Sequence, residues 1–204
     1  MRYAGADRYA TALQIVEQGL GDPPTIFLTT GTNFPDALTA GAAAAHAVGG
    51  ILLTDGNQMP PSVAAYLQAN AGDTVYAVGG PAAAADPTAT AIVGADRYLT
   101  SAQVASTIFG PPVVVGLASG TNYPDALAGG ATMGEGGGPL LLTDPNTLSP
   151  PAAAYLGADV GVLNNSLTYL FGGTQARSDN VRTAISQLVP SVFGALSHFG
   201  RRAP

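Results

Sequence analysis

Short apolar runs alternate along this chain with longer stretches in which apolar residues return every three to four positions. Tyr9, Leu13, Val16 and Leu20 have helical spacing, which predicts an amphipathic helix over 7–20 with Asp7 as its N-cap. Thr25 to Thr30 is a β-branched and aromatic run, the pattern of a buried strand. Asn33 can cap the next helix, Pro35 suits its first turn, and Asp36 stands where a capping-box acid reaches back. That Ala-rich helix is expected to run to about Val48. A strand at 51–54, a helix at 60–70 and a strand at 74–78 follow, the last ending at Gly79-Gly80; 82–91 reads as a helix broken by Pro87. The same order then returns, with helices at 96–109, 125–133, 150–156 and 177–189. Strands at 112–118, 139–143 and 167–171 lie between them, the last ending at Gly172-Gly173.

The recurrence is written in the residues themselves. Gly5-Ala6-Asp7-Arg8-Tyr9 comes back 89 residues later as Gly94-Ala95-Asp96-Arg97-Tyr98, and 5–55 matches 94–144 at 24 of 51 positions without a gap. Asp, Arg, Asn and Tyr are among the matches, so a shared excess of Ala and Gly does not explain them. A tandem duplication does. The predicted organisation is one repeat at 1–92, a second at 93–189, and a tail at 190–204. Strands alternating with helices imply an α/β fold, each repeat being a small, mainly parallel sheet with helices on both faces. Ligands of such open sheets settle at the carboxyl ends of the strands. There the sequence places both Gly-Thr-Asn-Phe/Tyr-Pro-Asp loops, both Leu-Thr-Asp corners and both Gly-Gly pairs.

Composition narrows the chemistry. The 204 residues are 47% hydrophobic and 10% charged, and much of the apolar content is Ala, so layers must pack closely. All seven cations are arginines, which excludes a phosphate-loop lysine, a Schiff base and pyridoxal chemistry. Without cysteine there is no disulfide or thiolate nucleophile. A net charge of −6 argues against a nucleic-acid partner, and no apolar run reaches the roughly 18–20 residues of a membrane span. Met1-Arg2-Tyr3 enters the first repeat at once, so a signal peptide is not expected within this sequence. His46 falls mid-helix and His198 in the tail, so no metal constellation and no cofactor are expected.

Two readings stand for each recurring polar group. Arg8 and Arg97 can offer guanidinium forks to an anionic ligand, or pair internally with Asp36 and Asp125 of the following loop. Asp36, Asp55, Asp125 and Asp144 can be carboxylates for hydrolysis or metal binding, or helix and turn caps. Tyr66 and Tyr155 can stack on sugars or bury against a neighbouring helix.

Taken in order and in two copies, four motifs closely resemble the type 2 cell-wall-binding repeat of Gram-positive bacteria. They are Gly-Ala-Asp-Arg-Tyr, Gly-Thr-Asn-Phe/Tyr-Pro-Asp-Ala-Leu, Leu-Leu-Thr and Val/Phe-Gly-Gly. The resemblance covers nearly all of 2–189. It implies a non-catalytic module that holds exported, S-layer-like surface proteins to the wall outside the cell, by binding an anionic secondary wall polymer. It also implies α/β modules that usually come in threes, so self-association or a third repeat from another chain is an expected partner. The family's Pro-Ile-Leu-Leu motif, linked to polymer binding, corresponds to Pro139-Leu140-Leu141-Leu142. In the first copy Gly50 replaces the proline before Ile51-Leu52-Leu53. The expected ligand set is therefore Arg8 and Arg97, with Arg2, Arg177, Arg182, Asn33, Asn122 and these two strands. The competing functions are a hydrolase of wall polymer using strand-end carboxylates, and a self-assembling structural protein with no wall ligand.

Overall fold

The computed structural model describes residues 1–110, 112–158, 167–174, 176 and 178–188. Asp7 begins the first helix as expected: its Oδ1 accepts from the N–H of Ala10 at 2.7 Å, opening α1 (Arg8–Gln14). The predicted single helix to residue 20 instead changes pitch. From Ile15 to Gly19 it continues as a π turn, where the N–H of Leu20 donates to the carbonyl of Ile15. Then come β1 (Thr25–Thr30), α2 (Pro35–His46), β2 (Gly50–Thr54), α3 (Pro61–Ala69), β3 (Thr74–Val78) and α4 (Gly80–Ala85).

Residues 82–91 correct the sequence expectation. The helix stops at Ala85, and the Oδ1 of Asp86 accepts from the N–H of Thr88 at 3.0 Å to turn the chain ahead of a short strand, β4 (Thr90–Ile92). This strand pairs parallel to β3, Val78 lying opposite Ile92. Its alanine made it look helical; edge pairing decides otherwise.

The second repeat follows the same course: α5 (Arg97–Ile108), β5 (Val114–Ser119), α6 (Pro124–Gly136), β6 (Leu140–Thr143), α7 (Pro150–Ala158), β7 (Leu167–Leu170) and α8 (Asp179–Leu188). The predicted tail at 190–204 lies outside the described residues. Both sheets are parallel, with strand orders β2-β1-β3-β4 and β6-β5-β7. The first strand of each repeat is central, and the chain reverses direction across it. The fold class read from the alternation is the one observed.

Each strand sends alternate residues to opposite faces, and this sorts the core into three parts. Ile26, Leu28 and Leu52 pack with Val16, Val63 and Tyr66 on the outer side of the first sheet. Val115, Leu117 and Leu141 pack with Tyr155, Val181 and Ile185 on the outer side of the second. The inner faces share one core: Phe27 and the Ala-rich face of α2 meet Val104, Phe109, Met133, Leu140 and Leu142. Small residues make that seam possible. A Cβ at Gly130 of α6 would lie 3.1 Å from the carbonyl oxygen of Leu38, and one at Gly134 would lie 2.8 Å from the Cβ of Ala45. The two helices approach closely because these side chains are missing.

Gly134→Val is expected to cost about 1–3 kcal/mol through overpacking of the seam. Gly41→Ala, where a Cβ meets nothing within 4 Å, is expected to be neutral or stabilising by up to about 1 kcal/mol. Urea unfolding of both variants checks the contrast.

Candidate functional site

The Asp-Arg-Tyr triplet ties the start of each repeat to the ends of its strands. Asp96 caps α5 as Asp7 caps α1, its Oδ1 accepting from the N–H of Leu99 at 2.8 Å. Arg8 donates through Nη1 to the carbonyl of Gly31, and Arg97 does the same to Gly120 at 2.5 Å. Tyr9 donates its hydroxyl to Asp55 at 2.8 Å, and that carboxylate raises the hydroxyl's pKa. Tyr98 is raised mainly by burial and next by the charge of Asp144. Gly31 and Gly120 must be glycine, because a Cβ would lie within 2.8 Å of Tyr9 and 2.7 Å of Tyr98.

The internal pairing of Arg8 and Arg97 with Asp36 and Asp125 does not form. Among the described residues the ion pair within 4.0 Å is Arg182 with Asp179, at 3.3 Å in the first turn of α8. The clamp exists, but it closes on a backbone carbonyl and occupies one nitrogen of the fork. Asp36 does not reach back to cap α2 either; no side chain caps that helix, and Asn33 accepts from its neighbour, the N–H of Phe34, at 2.9 Å. Asn122 and Tyr123 repeat the arrangement at 3.0 Å.

Asp36 turns instead toward the end of β3. Gly79 has φ of +88°, and a Cβ there would fall 2.0 Å from Oδ2 of Asp36; Gly172, at +103°, stands in the same relation to Asp125. These Gly-Gly corners are spaces cut for a carboxylate, which is why they recur. Asp36 lies where the chain direction switches across β1, and the second repeat closes that crevice. Asn33, Asp36, Gly79 and Gly80 face Gly94, Asp96, Arg97 and Thr100 across a polar cleft of about 170 Å³. Burial raises the pKa of the Asp36 carboxyl, and the Arg97 charge partly offsets this. The guanidinium of Arg97 also sits 5.9 Å from the ring centre of Phe34.

The other expected ligand residues are scattered. Arg2 is exposed near the N-terminus, and Arg177 lies outside the described residues. Leu52, Leu140, Leu141 and Leu142 are fully buried and Pro139 is buried, while Ile51 and Leu53 are half-buried. Tyr66 and Tyr155 are buried in the two outer cores, and burial pushes the Tyr66 hydroxyl up to about 12. Asp144 accepts from the N–H groups of Asn146 and Thr147, at 2.8 and 3.1 Å, as a turn residue does. Among the described residues no group of three or more His, Asp or Glu could hold a metal ion. Sequence reasoning missed the seam as a site, because nothing in a single repeat indicates that Asp36 and Arg97 meet.

The raised carboxyl has a pH signature. Asp36 binds its proton more tightly folded than unfolded, so its stabilising contribution is complete below about pH 4 and is lost as pH rises through the elevated folded value. Asp36→Asn should therefore show a smaller fall in unfolding temperature than the parent between pH 4 and pH 7, measured by calorimetry.

Comparison with known proteins agrees with this architecture. The family described as cell wall binding domain 2 matches residues 2–88 and 91–182. Cwp6 from Clostridium difficile superposes with a TM-score of 0.76 at 25% identity, over 91% of this chain and 31% of that one. Cwp8 from the same organism gives 0.75 at 20% identity, over 93% and 33%, a likeness of fold. In sequence the chain is 27% identical over 190 residues to the N-acetylmuramoyl-L-alanine amidase LytC of Bacillus subtilis (strain 168), covering 88% of this chain. It spans only 37% of that amidase, and about a third of each solved chain. With both repeats matched in tandem, the chain belongs to the cell wall binding domain 2 family.

Proposed function

We propose that this chain anchors a surface protein outside the cell by gripping an anionic secondary wall glycopolymer, without cutting it. The observation that carries the reading is Arg97 at the polar seam cleft. Its hydrogen bond to Gly120 uses Nη1, and among the described residues no carboxylate lies within ion-pair distance of it. The fork therefore keeps donors for a phosphate or carboxylate on a polymer. Asn33, in the same cleft, supplies an amide for sugar hydroxyls; Asn122 is its counterpart in the second repeat.

Arg8 plays the same part on the first repeat, and Arg2 and Arg177 add positive charge that an acidic protein needs to meet an acidic polymer, whereas Arg182 is already paired with Asp179. Pro139-Leu140-Leu141-Leu142 and Ile51-Leu52-Leu53 serve by building the edge strands that hold the loops in place. The hydrolase reading has less behind it. Asp55 is engaged by the hydroxyl of Tyr9, Asp144 closes a turn, and Asp36 and Asp125 fill glycine corners. The amidase match lies over a part of that protein equivalent to this wall-binding chain.

The test is sedimentation with wall sacculi before and after chemical stripping of the secondary polymers. Parent protein should pellet with intact walls, release as salt rises from low to about 1 M, and stay in solution with stripped walls. Gln at both positions (Arg8→Gln with Arg97→Gln) keeps a donor for the glycine carbonyls but removes the charge, and should weaken binding at least about tenfold with the fold intact. Undiminished pelleting on stripped walls would rule out the polymer as ligand.

A further inference from the structure

The seam cleft holds charges of both signs that do not neutralise each other. On one wall Asp36 of α2 lies half-buried against the Gly79 corner; on the other stand Arg97 and Asp96 at the start of α5. Arg97 is held by the carbonyl of Gly120, which takes Nη1, and Asp36 occupies the space where a Cβ of Gly79 would fall. The two charges feel each other without meeting. Arg97 lowers the pKa that burial raises at Asp36, yet among the described residues the pair stays beyond the 4.0 Å of an ion pair. Free side chains of opposite charge would close such a gap. Here each is pinned to its own repeat, and the gap is built into the seam.

Asp36 is also left without a donor: among the described residues its carboxylate receives no hydrogen bond. Its polar neighbours are engaged. Oδ1 of Asp96 accepts from the N–H of Leu99 at 2.8 Å, and Oδ1 of Asn33 accepts from the N–H of Phe34 at 2.9 Å. The Thr100 hydroxyl accepts from the N–H of Gly94 and donates to the carbonyl of Asp96, both at 3.0 Å. What the cleft still presents is a guanidinium edge, the Asn33 amide and a half-buried carboxylate that has lost hydration without gaining a partner.

A ligand carrying only negative charge is attracted to Arg97 but repelled by Asp36 and Asp96, two carboxylates to one guanidinium. The ligand that satisfies both walls brings its own pair in the reverse order, an anion for Arg97 and a cation for Asp36. That cation has to be compact enough for a cleft of about 170 Å³ and to supply several N–H donors, which describes a primary ammonium group. We propose, resting on the polymer reading above, that the seam cleft recognises a zwitterionic unit of the wall polymer. A phosphate or carboxylate of that unit meets Arg97, and a free ammonium group beside it, as on an unacetylated amino sugar, meets Asp36. Asp36 is then the specificity residue: it accepts polymer whose amine is free and disfavours polymer whose amine is blocked.

The test is sedimentation with three preparations of the same wall sacculi: untreated, with amines blocked by N-acetylation, and stripped of secondary polymers. Parent protein is expected to bind acetylated walls at least about tenfold more weakly than untreated ones. Asp36→Asn keeps the shape of the carboxyl but not its charge. It is expected to bind untreated walls as weakly as the parent binds acetylated ones, and to be indifferent to acetylation, with circular dichroism showing the fold unchanged. Undiminished or stronger binding of the parent to acetylated walls would overturn the ammonium assignment, and this arm needs no variant. Equal losses by parent and Asp36→Asn on acetylated walls would overturn it too, by placing the amine contact away from Asp36. Either result leaves the polymer reading standing when stripped walls bind nothing, whereas binding to stripped walls sinks that reading itself.

Discussion

Everything distinctive about this molecule depends on how closely α2 and α6 can approach. Alanine faces glycine along that line, with the Leu38 carbonyl over Gly130 and the Ala45 methyl over Gly134. Larger side chains would hold the helices apart and open the shared core. Because they meet, Phe27, Val104, Phe109 and Leu140 form one apolar body between two sheets. The high alanine and glycine content is the requirement of a seam built from backbones in near contact.

That same approach creates the polar cleft. A single doubly wound repeat has a crevice where the chain reverses across its central strand, but one wall of it is missing. The second repeat supplies the wall by bringing the start of α5 against the entry of α2. Arg97, bonded at one nitrogen to its own Gly120, is carried to within electrostatic reach of the Asp36 of the other repeat. The cleft thus lies between modules, with each repeat giving half of its lining.

The Asp-Arg-Tyr triplet holds a dual position in that scheme. Its aspartate is a cap, its tyrosine sits beside the Leu-Thr-Asp corner, and its arginine pins a glycine carbonyl at the end of a central strand. Each is a structural duty, and together they explain why the motif recurs with Gly31 and Gly120, whose missing side chains leave room for Tyr9 and Tyr98. An arginine held by one nitrogen is also stiffened, so contact of its remaining donors with an anion would cost less conformational entropy. Clamp and ligand contact are compatible uses of one side chain.

The duplication, the α/β class, the succession of helices and strands apart from β4, and the cap of the first helix by Asp7 were legible from residue types alone, because periodicity and caps are local properties. The Gly-Gly corners could be located but not explained, since their partner carboxylates lie more than forty residues away. β4 was hidden because Thr90-Ala91-Ile92 becomes a strand only by pairing with β3. The internal arginine pairing went wrong for a related reason: a carbonyl acceptor leaves no mark in a sequence, whereas an aspartate does. Two copies that look equivalent in one dimension are made unequal by contact, burying Leu38 and leaving Leu127 in water. Only the tertiary structure decided that, because burial belongs to a pair of surfaces and each repeat carries just one side of it.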